Sequence, residues 1–565
     1  MTKVASIKAN GAHYTPPELA SFLAAAAVEQ LGGTVPMRVL DPACGDGELL
    51  LALAEGLPAG ARAGLQLVGY ETDRSALVRA GRRLKSAGVA DVELYNDDFL
   101  MLDRFAARGA QRNLFGEAAD PSGDRCDVVI ANPPYVRTQI LGKERSQSLA
   151  RRFELTGRVD LYHAFVAAIC DVLRPGGVLA LLTSNRFMTI NSGASLRKVL
   201  RTAFDLQSIY DLGDTKLFNA AVLPVIVVGR KRGAGSAPDG CQFHRVYEHR
   251  TGAGDVSAIR RTRVLEALQD GSVRGVVQTS EGTYLIERGR LSPGSAADVW
   301  SISTPEYDRW LHAVRSRQTA CFEDVAHVRV GIKTTADDVF IRDSFAGVPI
   351  ERGLVRPLIT HRDAGRWFAV HPGGSKQVLY PHETVQGVRR RVGLDRHPKL
   401  QAYLESHGER LRRRRYVVDS GREWYEIWVP HNPDDWGRPK LVLPDIAETP
   451  RCFFDETGAV VNGDCYWMTL RARVDPSLLR LMLAIANSTF ITRYYDIAFH
   501  NKLYAGRRRF MTQYVRRFPL PDPQSPPARE IVRLVDRVLK QQNVAPDDEE
   551  QLDTLVWRAF GLVKQ

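Results

Sequence analysis

The residues of this chain best suited to chemistry are the tetrapeptide Asn132-Pro133-Pro134-Tyr135, which follows the apolar run 128–131. The apolar run predicts a buried strand, and the two prolines, which fix φ and lack an amide hydrogen, must end it in a stiff turn. Open α/β folds bind their ligands at this carboxyl edge of the sheet. A side-chain amide oxygen with the next backbone carbonyl can accept both hydrogens of an exocyclic amine, while a tyrosine ring stacks on a flat ring. The pattern therefore predicts a site for a planar amine such as a nucleobase.

Three upstream apolar runs also end in polar residues. The first ends at Asp41 and enters a glycine loop, residues 42–47, which would let a ligand approach the backbone closely. The loop matches neither the Gly-x-Gly-x-x-Gly fingerprint nor a phosphate loop, and Asp41 favours a cationic ligand. The second run ends at Glu71, where related folds hold ribose hydroxyls, and the third leads to Asp98 and Phe99, an acid and a ring suited to adenine.

Together these residues resemble the S-adenosylmethionine-dependent amino-methyltransferases, and more narrowly the gamma-class, TaqI-like N6-adenine DNA methyltransferases of type II restriction–modification systems. The narrower resemblance rests on order: residues 11–20 match a motif that precedes the glycine loop in that class, and the specificity domain lies at the carboxyl end. In this motif Thr15 is expected to cap a helix, with Glu18 completing a capping box.

The resemblance implies transfer of a methyl group from S-adenosylmethionine to the N6 amino group of an adenine flipped out of a short duplex recognition sequence. Asn132, Pro133, Pro134 and Tyr135 would be catalytic, Tyr135 and Phe218 would stack on the base, and no metal is expected. The positions that match the family's cofactor contacts are Tyr14, Thr15, Pro16, Asp41, Ala43, Gly45, Glu71, Asp98 and Phe99.

The predicted fold is α/β: a Rossmann-like S-adenosylmethionine-dependent methyltransferase domain over residues 1–290, followed by a mixed α+β target-recognition domain over 299–525 and closing helices over 526–565. Residues 136–159 show no periodicity and are expected to form a mobile loop over the substrate cleft. The apolar runs 223–228 and 243–247 suggest an antiparallel hairpin at the edge of the sheet.

The composition agrees with a globular protein that binds a polyanion. Apolar residues make up 44% of the 565 residues and charged residues 25%, the net charge is +12, and the pI is near 9.4. No apolar run reaches 18 residues, and the seven cysteines are scattered, so we expect a cytoplasmic protein without membrane contact. Two basic stretches with nearby aromatics, which contain Arg412, Arg413 and Arg414 and then Arg507, Arg508 and Arg509, are expected to contact the phosphates of double-stranded DNA.

Other substrates remain open from the residues alone. The same tetrapeptide chemistry serves cytosine N4 in DNA, guanine N2 in ribosomal RNA and glutamine in release factors, and a DNA-binding protein with a decayed methylase domain is a non-enzymatic alternative. No nuclease motif is found beside the methylase motifs. We therefore expect a stand-alone monomer that protects DNA from a separate cognate restriction endonuclease, with a solitary regulatory methylase as the alternative.

Overall fold

The computed structural model describes residues 14–102, 125–136, 141–156, 159–217, 223–233, 240–249, 258–259, 263–295, 298–499, 502–503 and 506–564. The chain divides into two compact units, an N-terminal unit of residues 1–305 with 503–506 and a C-terminal unit of residues 306–502 with 507–565. The predicted domain boundary, between 290 and 299, lies just before this division.

The N-terminal unit is built on one large sheet with helices along the chain between its strands. Its described strands are β1 Arg38–Asp41, β2 Gln66–Tyr70, β3 Asp91–Tyr95, β4 Cys126–Ala131, β5 Leu173–Ser184, β6 Phe204–Asp211, β7 Pro224–Lys231, β8 Gln242–Glu248, β9 Ala258–Ile259, β10 Gly275–Gln278, β11 Thr283–Leu291 and β12 Ile302–Ser303. Its described α-helices are α1 Pro17–Leu31, α2 Glu48–Gly56, α3 Arg74–Ser86, α4 Lys143–Arg152, α5 Leu161–Val172, α6 Arg186–Thr189, α7 Ala194–Ala203 and α8 Val264–Gln269.

The strand order places the candidate residues at one edge. The sheet runs β3-β2-β1-β4-β5-β7-β6-β8-β11-β10-β9, and β1 to β5 are parallel. Strand β4 is buried along its whole length, as a strand covered on both faces must be. The carboxyl ends of β1, β2, β3 and β4 therefore lie side by side, and the predicted α/β fold class is confirmed.

The predicted hairpin of the runs 223–228 and 243–247 is wrong. Strand β7 pairs antiparallel with both β5 and β6, whereas β8 pairs parallel with β6 and antiparallel with β11. The physical reason is the alternating strand β6, which lies between β7 and β8 and takes the position that a hairpin partner would occupy.

The segment 136–159 also differs from the prediction, because its residues 143–152 form the helix α4. The helix is held to the unit by Arg145, whose guanidinium pairs with Asp98 at 3.0 Å, and by Arg152, which donates to the Leu102 carbonyl at 2.6 Å. Its sequence is so polar that hydrophobic periodicity could not indicate a helix.

The C-terminal unit mixes small sheets with helices, as the α+β prediction requires. Its strands are β13 Gln318–Cys321, β14 Ala326–Val330, β15 Ile341–Arg342, β16 Val355–Ile359, β17 Lys376–Leu379, β18 His382–Val385, β19 Val388–Arg391, β20 Lys440–Pro444, β21 Ile446–Ala447, β22 Phe453–Asp455, β23 Val460–Val461, β24 Cys465–Leu470, β25 Arg508–Arg509 and β26 Pro519–Pro521. Its α-helices are α9 Pro305–Arg317, α10 Phe322–Val325, α11 Asp337–Phe340, α12 Pro398–Ser406, α13 Gly408–Arg412, α14 Arg415–Val418, α15 Leu478–Asn487, α16 Thr489–Ala498, α17 Thr512–Val515, α18 Pro526–Gln541 and α19 Pro546–Ala559.

Two four-stranded sheets, β14-β24-β20-β22 and β15-β17-β16-β23, form the centre of this unit. Their shared core includes the fully buried Trp436 and Trp467, whose ring centroids lie 4.5 Å apart. The two closing helices predicted from the sequence are present as α18 and α19, which pack on each other and on α15. No helix among the described residues is long and apolar enough to cross a membrane.

A buried ion pair joins two strands of the first of these sheets. Lys440 and Asp455 lie directly opposite each other, their side chains are 0% and 2% exposed, and Nζ is 2.6 Å from Oδ2. Burial lowers the pKa of Lys440, and its ammonium group also donates to the Trp436 carbonyl at 2.9 Å.

We predict that Lys440→Met destabilises the C-terminal unit by about 3–5 kcal/mol, because it leaves a buried carboxylate without its partner. The double variant Lys440→Met/Asp455→Leu removes both charges and should regain most of that stability. Urea unfolding followed by tryptophan fluorescence measures both variants. Equal destabilisation by the single and double changes would contradict this account.

Candidate functional site

The glycine loop between β1 and α2 is fixed in place by a backbone hydrogen bond to a distant carboxylate. The Gly45 amide donates to Glu71 Oε2 at 3.0 Å, and the Cys44 amide donates to the Tyr70 carbonyl at 2.9 Å. Gly45 and Gly47 have φ of 54° and 84°, in the left-handed region where a side chain is disfavoured. The loop is therefore tied to the end of β2, as a preformed binding loop must be.

Glu71 organises the end of β2 in a second way. Its Oε1 accepts from the Asp73 amide at 2.7 Å, and its backbone carbonyl accepts from Asn96 Nδ2 at 2.8 Å. Asp73 is the N-cap of α3, since its carboxylate accepts from the amides of Ser75 and Ala76. The carboxylate of Glu71 thus reaches the loop while Asp73 has a structural role.

Asp41, at the end of β1, is a buried carboxylate at the base of the loop. It is 1% exposed, and its Oδ1 accepts from the Ala43 amide at 3.0 Å. Burial, with a smaller contribution from the charge of Glu71, raises the pKa of Asp41 to about 8. A cation bound nearby would offset this desolvation, so the site favours a positively charged ligand.

The segment before α1 covers the loop. A Cβ atom added to Gly45 would lie 3.3 Å from the Tyr14 ring, so the ring lies directly over the loop. The Tyr14 hydroxyl accepts from Arg79 Nη2 at 2.9 Å, and the Arg79 guanidinium lies 5.8 Å from the ring centroid. Arg79, which holds Tyr14 from α3, carried no signal in the sequence because 65 residues separate the two.

The prediction that Thr15 caps α1 is wrong. The N-cap is Pro16, without a side-chain cap, and Glu18 pairs with Arg263 at 2.6 Å instead of completing a capping box. The helix begins one residue later because the Ala20 amide donates to the Pro16 carbonyl. The buried Thr15 hydroxyl is thereby left to accept a hydrogen bond from Asn132 Nδ2 at 3.0 Å.

In the turn of residues 132–135, hydrogen bonds hold both ends of the Asn132 side-chain amide. Asn132 Nδ2 donates to Thr15, and Asn132 Oδ1 accepts from the Tyr135 hydroxyl at 2.6 Å. Burial raises the pKa of Tyr135 above its ordinary value, so this hydroxyl keeps its proton. The Tyr135 ring packs edge-on against Tyr162 of α5, with centroids 6.5 Å apart. The amide oxygen is thus presented as an acceptor.

The two candidate residues after β3 make hydrogen bonds and packing contacts within the N-terminal unit. Asp98 Oδ1 accepts from the Leu100 amide at 3.1 Å, and Oδ2 pairs with Arg145. The Phe99 ring is 2% exposed and packs against Tyr70 and Phe165 at 5.3 Å and 6.1 Å. Phe99 is thus a core residue at the edge of the site. The predicted stacking residue Phe218 lies outside the described residues.

The arginines of the first basic stretch differ sharply in their exposure to solvent. Arg412 lies over the Trp424 ring at 4.1 Å and pairs with Glu405, and Arg413, 74% exposed, pairs with Glu409. The prediction that Arg414 contacts DNA is wrong, because Arg414 is 2% exposed and its guanidinium donates to the carbonyls of Thr334, Leu411 and Trp424.

In the second basic stretch, too, only some of the arginines are exposed enough to contact a partner. Arg507 is exposed, and Arg509 is 45% exposed and pairs with Asp445 at 3.1 Å. The Arg508 side chain is only 12% exposed, and both carboxylate oxygens of Asp496 accept from it at 2.6 Å. Arg508 therefore ties strand β25 to helix α16, which corrects the expectation that it contacts DNA.

Three further features were not singled out by the sequence. Arg79 and Arg145 reach the site through tertiary contacts alone. In the C-terminal unit, the exposed strand β19 lies in a basic stretch that was recognised only as charge, and β18 pairs with it. Among the described residues, no group of three acidic, histidine or cysteine side chains is placed to hold a metal ion.

Comparison with known proteins identifies the family of the chain. A family model for the Eco57I restriction-modification methylase matches residues 102–218, and one for the TaqI-like C-terminal specificity domain matches residues 395–520. The chain is 37% identical to the type II methyltransferase M.BanIII of Aneurinibacillus aneurinilyticus, over 98% of this chain and 97% of that protein. It is 24% identical to M.PaeR7I of Pseudomonas aeruginosa, over 98% and 92%.

A solved structure also shares the fold. A DrdV–DNA complex determined by cryoEM matches with a TM-score of 0.55 at 13% identity, over 96% of this chain and 59% of that chain. The loop fixed to Glu71, the buried Asp41 and the glycine positions fit S-adenosylmethionine, whose sulfonium supplies the positive charge that Asp41 favours. The chain belongs to the gamma-class, TaqI-like type II DNA methyltransferases of restriction–modification systems, with S-adenosylmethionine as cofactor.

Proposed function

We propose that this enzyme methylates the N6 amino group of an adenine flipped out of a short duplex recognition sequence. The observation that carries the proposal is the orientation of the Asn132 amide, whose NH2 group is bonded to Thr15 and whose oxygen faces the Tyr135 hydroxyl. Asparagine at this position favours adenine over cytosine, because N4-cytosine enzymes of this kind more often carry serine there.

The Asn132 oxygen and the Pro133 carbonyl accept the two hydrogens of the target amine. The Tyr135 hydroxyl, now hydrogen-bonded to that oxygen, gives up or shares this acceptor when the base enters. Two acceptors draw the nitrogen toward a tetrahedral shape and aim its lone pair, an effect of orientation. They also stabilise the positive charge that develops on the nitrogen.

S-adenosylmethionine supplies an electrophilic methyl group when bound. Glu71 accepts hydrogen bonds from the ribose hydroxyls, Asp98 accepts from the adenine amino group, and Phe99 and Pro133 form walls of the pocket. Tyr14, Thr15, Pro16, Ala43 and Gly45 line the remainder. Support for these roles comes from the shared sheet edge and from the hydrogen bonds that hold Gly45 to Glu71 and Tyr14 to Arg79.

Base flipping costs a few kcal/mol of unstacking, which aromatic contacts of about 1–3 kcal/mol each offset in part. Tyr135 supplies one face, and Phe218 supplies the other by the family resemblance. The exposed guanidinium groups of Arg412, Arg413, Arg507 and Arg509 contact backbone phosphates. The enzyme acts as a monomer and protects the site from a separate cognate endonuclease.

The reaction is tested by single-molecule sequencing of DNA from a methylase-free host that expresses the chain, beside Asn132→Ala and Tyr135→Phe. We expect N6-methyladenine at one short motif in DNA from cells with the native enzyme. Asn132→Ala should lower the amount of this modification at least 100-fold, because it removes an acceptor that contributes about 3 kcal/mol in the transition state. Tyr135→Phe keeps the stacking ring and should retain the modification. If the modified base is N4-methylcytosine, the target base of the proposal is wrong but its mechanism stands. If the folded protein leaves the DNA without methylation, the proposal is refuted.

The raised pKa of Asp41 predicts a pH dependence of stability. Its pKa is about 8 in the fold against roughly 3.9 unfolded, so the stability contributed by the protonated form is present below pH 4 and is lost as pH rises to 8. Without cofactor, Asp41→Asn should therefore become progressively more stable than the native enzyme between pH 5 and 8. Thermal unfolding across this range measures the difference, and parallel curves would contradict it.

The same variant should bind S-adenosylmethionine more weakly, because an amide cannot balance the sulfonium charge. Isothermal titration calorimetry in two buffers of different ionisation enthalpy would detect proton release on binding by the native enzyme near pH 7. Asp41→Asn should release none.

A further inference from the structure

The strands β18 and β19 form an isolated two-stranded ribbon in the C-terminal unit. They pair antiparallel with His382 opposite Arg391 and Val385 opposite Val388, and among the described residues no third strand joins them. The two turn residues Gln386 and Gly387 have φ of 53° and 77°. Two consecutive left-handed residues make the tight turn that matches the natural twist of a hairpin, so the ribbon has a defined tip.

One face of the ribbon is braced against its own unit. His382 is 3% exposed, the Thr384 hydroxyl donates to Asn432 Oδ1 at 2.6 Å, and Arg389 donates to the Pro430 carbonyl at 3.1 Å. Asn432 also donates to the Gly387 carbonyl at 3.0 Å, which holds the tip. These contacts within its own unit therefore hold the ribbon in place before any partner binds.

The other face carries exposed side chains suited to recognition. Val385 and Val388, side by side at the tip, are 44% and 56% exposed. Arg390 follows on the same face, since side chains alternate along a strand. Its guanidinium has no partner among the described residues, because Glu383 opposite it is held by Arg396 at 2.8 Å. This face therefore offers apolar contact from the valine pair beside the hydrogen-bond donors of Arg390.

We propose that this ribbon enters the major groove of the substrate duplex and reads bases through Val385, Val388 and Arg390. A ribbon of two four-residue strands is about 14 Å long, and a two-stranded ribbon fits the major groove, which is roughly 12 Å wide and 8.5 Å deep. Arginine donates to guanine O6 and N7, and apolar side chains contact the thymine methyl group. The inference rests on the proposed action on duplex DNA.

The alternative without a recognition role is that the arginines only keep an exposed strand edge from pairing with other chains. That alternative explains charge but not the exposed valine pair, and it predicts no effect on sequence preference. The ribbon also precedes residues 395–520, the segment that matches the specificity-domain model. Base reading by the ribbon would thus extend the recognition surface beyond that segment.

The test uses the full-length enzyme, S-adenosylmethionine and a duplex library in which each position of the methylated motif is randomised, read by single-molecule sequencing. Arg390→Gln and Val388→Thr change exposed side chains and should leave the fold and cofactor binding intact. We expect each to lower methylation of the native motif by roughly 5- to 150-fold and to change the preference at one or two positions only.

Arg413→Gln is the matched control, because Arg413 is an exposed arginine placed on the phosphate backbone. It should weaken binding to all sequences evenly. It should also reduce the slope of log binding constant against log salt concentration by about one unit. An even loss with Arg390→Gln, or an unchanged motif with both ribbon variants, would overturn the inference while the native enzyme still methylates. No methylation of the library by the native enzyme would refute the proposed function itself, and the inference with it.

Discussion

The hydrogen bond from Asn132 Nδ2 to Thr15 Oγ1 is the contact on which the geometry of the candidate site depends. It spans 117 residues and joins the segment before α1 to the end of β4. An asparagine amide can present either its oxygen or its NH2 group, and a fixed acceptor for the NH2 group on one side determines that the oxygen faces the other side. The prolines stiffen the backbone of the turn, but the hydroxyl of Thr15 selects the orientation of the side chain.

Two carboxylates, one of them buried, organise the glycine loop of the candidate site. Asp41 is buried with a pKa near 8, and Glu71 holds the loop through the amide of Gly45. A buried carboxylate without a cation reduces the stability of the fold at neutral pH, and a cation bound beside it would offset this cost. Strongly shifted pKa values of this kind are common at functional sites.

Much of the fold and of the site followed from sequence because the signals were local. Apolar runs predicted the central parallel strands, and polar residues directly after those runs had to meet at one edge of the sheet. The order of the outer strands did not follow, since β6 takes its place between β7 and β8 through pairing that no local pattern reports. The helix α4 was missed because its anchoring contacts are salt bridges and carbonyl bonds rather than an apolar face.

The sequence by itself determined the chemistry: which side chains end the strands, which glycines allow a close approach, and that the chain carries a cationic excess. Only the tertiary structure decided how each side chain is used. Of neighbouring arginines with the same charge, Arg413 is exposed and Arg414 is buried among carbonyl groups, and Thr15 serves Asn132 instead of its own helix. The physical reason is that burial and hydrogen-bond partners come from residues distant in the chain, which residue type and spacing do not report.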